Sequence, residues 1–189
     1  SDIVGTVHNG DGTVVNAAFE AAGQAWPSWN ALPAADRGAV LMRIADLYED
    51  NAAELIAMAA REAGNTLLDA VGELREAVDV CRHYALEAVR YERESNGDAR
   101  GVFVCVSPWN FPLAIFPGQI TAALAAGNAV IAKPAEQTPL LATRSVQLMH
   151  EAGVPGGVLN LVPGDGASVG AALTSDPRVD GICFTGSTD

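Results

Sequence analysis

"GVFVCVSPWNFPLAIFPGQITAALAAGNAVIAKPAEQTPL", residues 101–140, holds two short apolar runs separated by a helical stretch. "GVFVCVS" (101–107) and "NAVIAK" (128–133) are apolar nearly throughout, the pattern of strands covered on both faces. Residues 116–126 between them read as a helix. The same alternation continues downstream. "GVLNLV" (157–162) and "VDGICF" (179–184) are further strands, with helices expected at 138–152 and 165–174. Strand, helix and strand repeated in this way predict an α/β fold with a parallel sheet and right-handed crossovers.

Upstream the texture is helical. Val40, Ile44 and Leu47 recur at spacings of three and four, as do Leu55, Met58 and Ala59. "AADRGAVLMRIADLYED" and "AAELIAMAAREAG" read as successive helices, the second ending at Gly64, a suitable C′ residue. A longer helix is expected from Leu67 to Glu92, before the turn-like "SNGD" (95–98). Residues 1–33, with "HNGDGT" and the aromatic "AWPSWN", give no clear element. The expected organisation is a mostly helical segment over 1–100, packed on a sheet unit over 101–189.

The chain has 189 residues, of which 49% are apolar, and a formal charge of −12. That suits a globular core and argues against nucleic acid or an anionic membrane surface as a partner. Cys81, Cys105 and Cys183 form no CxxC and no metal-ligand spacing with His8, His83 or His150. Unpaired cysteines within apolar runs predict a reducing, cytoplasmic compartment. No apolar run is long enough to span a bilayer. A start without methionine and a stop at "FTGSTD" predict a piece of a larger protein.

In an open parallel sheet, ligands bind beyond the carboxyl ends of the strands. Those ends here are "SPWNFP", "KPAEQTP", "VPGDG" and "FTGST". In the first, Pro108 and Pro112 restrict the backbone around Asn110, whose amide suits an oxyanion donor worth roughly 2.7–4 kcal/mol. It reads equally well as a rigid turn packing Trp109 and Phe111 into the core. In the second, Lys133 is the only lysine of the chain, and Glu136 follows three positions later. A three-donor ammonium and an acceptor-only carboxylate suit two neighbouring ribose hydroxyls. The carboxylate would also repel a 2′-phosphate, favouring NAD over NADP. A surface ion pair of about 0–1 kcal/mol is the alternative. The third end supplies Gly164, Gly166 and Gly170 for close backbone approach. The fourth places Gly186 and Ser187 where helix amides could bind a pyrophosphate. No GxGxxG fingerprint occurs.

These four strand ends, in this order, resemble the NAD(P)-dependent aldehyde dehydrogenase superfamily. Within it the chain is most similar to the 1-pyrroline-5-carboxylate (glutamate-semialdehyde) dehydrogenase module of bifunctional proline utilisation proteins. The resemblance implies a Rossmann-like cofactor domain, present in part, and the oxidation of glutamate semialdehyde to glutamate with NAD. It implies Asn110 as the side-chain donor of the oxyanion hole. Ser107, Pro108 and Trp109 would border the cofactor, and Lys133 and Glu136 would hold the adenosine ribose. Gly166 and Gly170 would pack near the adenine, Thr185 near the nicotinamide, and Gly186 and Ser187 at the pyrophosphate. It implies no metal, a homo-oligomeric parent, and FAD only if a proline dehydrogenase domain precedes this segment.

The family's cysteine nucleophile and general-base glutamate both follow the "FTGS" turn. Cys81, Cys105 and Cys183 precede it and match no nucleophile motif, so residues 1–189 alone are expected to lack dehydrogenase activity. Two other readings stay open: an aldehyde dehydrogenase for another semialdehyde, and a nucleotide-binding module without catalysis.

Overall fold

A computed structural model describes residues 3–94 and 98–187. Of the expected turn at 95–98, only Asp98 falls among them, and the last two residues of "FTGSTD" also lie outside them.

The helical half contains α1 (Gly12–Asn30), α2 (Ala34–Asp50), α3 (Ala52–Glu62) and α4 (Leu67–Glu94). The sheet half runs β1 (Val102–Val106), α5 (Ile115–Ala125), β2 (Ala129–Lys133), α6 (Pro139–Glu151), β3 (Leu159–Leu161), α7 (Ala171–Ser175) and β4 (Gly181–Phe184). A π-type turn at Gly166–Gly170 leads into α7, so the helix expected over 165–174 is in fact two short pieces. All strand pairs are parallel, in the order β3-β2-β1-β4.

α1 is the element that the sequence left unread. "HNGDGT" supplies its N-cap: Asp11 Oδ1 accepts the amides of Thr13 (2.8 Å) and Val14 (3.0 Å). Val15, Ala18, Phe19 and Ala22 then form a buried stripe at helical spacing. They pack with Val102, Val104, Ala129 and Ile131 on one face of the sheet, together with Val169 and Leu173. The alternate residues Cys105, Val130 and Ala132 face the other way, into a larger core shared by α2 to α6. Two covered faces account for the continuous apolar runs of β1 and β2, whereas β4 leaves Ile182 and Phe184 exposed on one face.

α2, α3 and α4 pack outside α5 and α6 and hold both helices by their ends. Glu73 of α4 is buried and accepts the amide of Leu113 (3.0 Å) just before α5. Glu62 of α3 accepts the amides of Leu140 (2.7 Å) and Leu141 (2.8 Å) in the first turn of α6. At the opposite ends, Arg37 Nε donates to Ala125 O (3.1 Å) and Arg43 Nε to Ala152 O (2.8 Å). Each crossover helix thus has an acid at its positive end and a base at its negative end. Gly64 closes α3 with φ +76, as the sequence predicts. At the start of the sheet, Asn128 Oδ1 accepts the amides of Arg100 (2.8 Å) and Gly101 (3.1 Å), which aligns β1 with β2.

Candidate functional site at the carboxyl ends of the strands

The four strand ends are linked by hydrogen bonds and packing along one edge of the sheet. Thr185 N donates to Val106 O at 3.1 Å, and Ser107 N to Lys133 O at 3.3 Å. Gln119 of α5 bridges the first junction. Its Nε2 donates to Thr185 Oγ1 (2.9 Å) and to Val106 O (3.3 Å).

Lys133 ends β2 and is buried, an unusual place for an ammonium. Its Nζ donates to Pro134 O at 2.9 Å, and its stem runs beneath Gly170, where a Cβ would sit 3.5 Å from Lys133 Cε. Burial lowers its pKa, opposed by the charges of Glu136 and Asp165. Glu136 is exposed and accepts the amide of Gly166 at 2.8 Å. The two residues therefore share a locus while each bonds a backbone group, which differs from a simple surface ion pair. Asp165 completes the turn, with Oδ1 accepting Ser168 N and Oδ2 accepting Ser168 Oγ, both at 2.6 Å.

The "SPWNFP" loop leaves its rings outside the core. Trp109 is 51% exposed and Phe111 45%, so the reading in which both rings pack inward does not hold. Asn110 is exposed and lines a cleft of about 520 Å³ with Phe111, Asn65, Glu73 and other residues of the first turns of α4. Its amide makes no hydrogen bond among the described residues, so its donors are available. Glu73 anchors the loop's far end through Leu113, and Asn65 Nδ2 donates to the same carboxylate. Burial raises the Glu73 pKa, opposed by the amides of Leu113 and Ala114 and by Asn65.

Glu62, Glu73 and Gln119 were not singled out by the sequence. Their partners lie 78, 40 and 66 residues away, and no local pattern announces such pairs.

Two buried polar atoms at this edge have no partner among the described residues: Ser107 Oγ and Gln119 Oε1. A buried unsatisfied group costs about 1–3 kcal/mol, and their position at the strand ends fits a polar ligand that supplies the missing bonds. A cleft of about 500 Å³ lined by Arg37, Tyr84, Tyr91 and Glu92 lies at the other end of the sheet, beside Ala99 and Ala126. Its Arg37 is occupied by the carbonyls of Asn30, Leu32 and Ala125. No group of three or more His, Cys, Asp or Glu side chains among the described residues could hold a metal ion. No helix among them is long and apolar enough to cross a membrane.

The aldehyde dehydrogenase family model matches residues 1–189. The chain belongs to the aldehyde dehydrogenase family. That family uses NAD(P), and the strand-end residues described above sit where a parallel sheet binds such a dinucleotide. The chain is 51% identical over 188 residues to the bifunctional protein PutA of Escherichia coli (strain K12), covering 100% of this chain and 14% of that protein. It is 35% identical over 201 residues to the 1-pyrroline-5-carboxylate dehydrogenase of Anoxybacillus flavithermus (strain DSM 21510 / WK1), covering 100% of this chain and 39% of that one. The crystal structure of a Bradyrhizobium japonicum proline utilization A mutant superposes with a TM-score of 0.93 at 48% identity, over 96% of this chain and 20% of the other. The chain therefore spans a small part of these relatives.

Proposed function

We propose that this chain forms the first part of the dinucleotide-binding unit of an aldehyde dehydrogenase that oxidises glutamate semialdehyde to glutamate in proline catabolism. The observation that carries the reading is the linked row of strand ends, from Thr185 through Ser107 and Lys133 to Gly170. The similarity to PutA and to a 1-pyrroline-5-carboxylate dehydrogenase supports the substrate. Residues 101–189 supply the sheet of this unit, and the preceding segment supplies its helical packing layer.

The dinucleotide, when bound, supplies the hydride acceptor. Lys133 and Glu136 would hold the adenosine ribose, the ammonium donating and the carboxylate accepting. The Glu136 charge disfavours a 2′-phosphate, so NAD is preferred over NADP. Gly166 and Gly170 would pack near the adenine, and Gly186 and Ser187 would lie at the pyrophosphate. Ser107, Pro108, Trp109 and Thr185 border the nicotinamide side, with the Ser107 hydroxyl available for a bond. Asn110 donates its amide to the aldehyde oxygen as negative charge develops there, the step at which a fixed donor has most effect. None of the three cysteines lines the Asn110 cleft, and Cys81 and Cys105 are buried, so none serves as the nucleophile. The free state of all three supports a cytosolic setting.

The test is NADH formation by the full-length protein with glutamate semialdehyde and a panel of other aldehydes. Turnover fastest with glutamate semialdehyde is expected. Preference for another aldehyde would remove the substrate assignment, and no turnover with any would remove the enzymatic reading.

A further inference from the structure

Cys105 and Cys183 stand opposite each other on adjacent parallel strands, in register between β1 and β4. The register is held at its start by Asp180, whose Oδ2 accepts Val102 N at 2.8 Å while its own amide donates to Val102 O at 2.9 Å. Both cysteines pack against the same core cluster, on the sheet face covered by α5. Facing Cα atoms on neighbouring strands lie about 4.8 Å apart, within the span of roughly 4.4–6.8 Å that a disulfide bridges. Cys105 is buried, whereas Cys183 is half-buried, and both are free thiols.

We propose that Cys105 and Cys183 form a reversible dithiol–disulfide couple, a redox modification site directly beneath the strand ends. The pair is electronically prepared for it. The Cys105 S–H bonds the Cys183 sulfur, which draws the Cys183 thiol down to about 7, while that contact and burial hold Cys105 well above the ordinary range. Cys183 is thus the thiolate that meets an oxidant. With hydrogen peroxide, the thiolate attacks one oxygen and the O–O bond breaks, giving a sulfenic acid and a hydroxide that takes up the proton shed by the Cys183 thiol to become one water. The Cys105 sulfur then attacks the sulfenic sulfur; the S–O bond breaks as the S–S bond forms, and the departing hydroxide takes the Cys105 proton to leave as a second water. Two thiols lose two electrons and two protons, and the peroxide becomes two waters.

Side-by-side Cβ atoms on parallel strands keep nearly the strand spacing, wider than the mean of about 3.8 Å in a disulfide. Closure therefore pulls β1 and β4 together, and the strained bond stays easy to reduce. Cys105 lies two residues before Ser107, and Cys183 two before Thr185. Resting on the dinucleotide reading of those ends, the closed form should bind NAD⁺ several-fold more weakly.

The experiment oxidises the full-length protein with hydrogen peroxide, blocks free thiols with N-ethylmaleimide, and maps the unreduced peptides by mass spectrometry. A Cys105–Cys183 cross-linked peptide is expected, lost on dithiothreitol treatment and absent in Cys183→Ser. Recovery of Cys105 as a free thiol beside a Cys183 sulfinic acid or other adduct would overturn the couple. Calorimetric titration with NAD⁺ then compares reduced and oxidised protein. Equal affinity would overturn the link to the strand ends. No binding by the reduced protein would instead count against the dinucleotide reading, leaving the peptide map to decide the couple.

Discussion

The carboxylate of Glu73 accepts the amide of Leu113 at 3.0 Å, placing a charge from α4 three residues beyond Asn110. This long-range contact anchors the far end of the loop that carries Asn110. Its loss leaves the buried Leu113 amide without a partner, at a cost of about 1–3 kcal/mol. Glu73→Ala should lower stability by that amount, whereas Glu73→Gln, which keeps an acceptor, should lose less. Chemical denaturation of the three proteins measures both.

The same residue carries a pH signature. Burial raises its folded-state pKa above the ordinary 4.5. Just above that value the folded state holds the proton and the unfolded state has lost it, so the contribution of Glu73 to stability falls as pH rises through the folded pKa. Melting curves from pH 4 upward should show this slope in the wild type relative to Glu73→Gln. Parallel curves would count against a raised pKa.

Asn110→Ala in the full-length enzyme should reduce kcat by about 10²–10³ while leaving the KM for NAD⁺ nearly unchanged. Its melting temperature should also be unchanged, because the Asn110 side chain makes no hydrogen bond among the described residues. A proportional loss in both kinetic constants would point to a binding role.

Glu136 has two separable properties, its charge and its bond to Gly166 N at 2.8 Å. Glu136→Gln keeps an acceptor for that amide and removes the charge, so it should improve use of NADP⁺ with a small effect on NAD⁺. Glu136→Ala removes both and should raise the KM for NAD⁺ by about tenfold, equivalent to roughly 1.4 kcal/mol. Steady-state kinetics with both cofactors would separate the two effects. An unaltered cofactor ratio in Glu136→Gln would exclude the charge-based preference.

Arg37 is buried and donates to carbonyls at the ends of α1 and α5. Arg37→Met should cost about 1.5–3 kcal/mol, the scale of a charge-assisted hydrogen bond. Urea denaturation should show a lower midpoint with an unchanged slope.

The second half of the fold was legible because its strands write short apolar runs, which in β1 and β2 follow from two covered faces. Lys133, Glu136 and Asn110 stood out as candidates because Lys133 ends one such run and the other two follow one within a few residues. α1 was not. Its stripe of Val15, Ala18, Phe19 and Ala22 is bracketed by Gly12, Gly23 and Pro27, which read as breakers. Pro27 is tolerated within the last turns of that helix, close to its end at Asn30. Glu62 and Glu73 were hidden for another reason: each looks like one more acid on an amphipathic helix until the fold delivers its distant amides.

The charges that hold α5 and α6 at both ends bear on how the molecule opens. Neither helix can fray from its first turn without stranding a glutamate of α3 or α4, nor from its last without stranding an arginine of α2. The amides of Leu113, Leu140 and Leu141 should therefore exchange with deuterium in step with the interior of α3 and α4, as one cooperative unit. On this view the acidic amino-terminal helices act as a lock on local unfolding of both crossover helices and of the loops that lead into them.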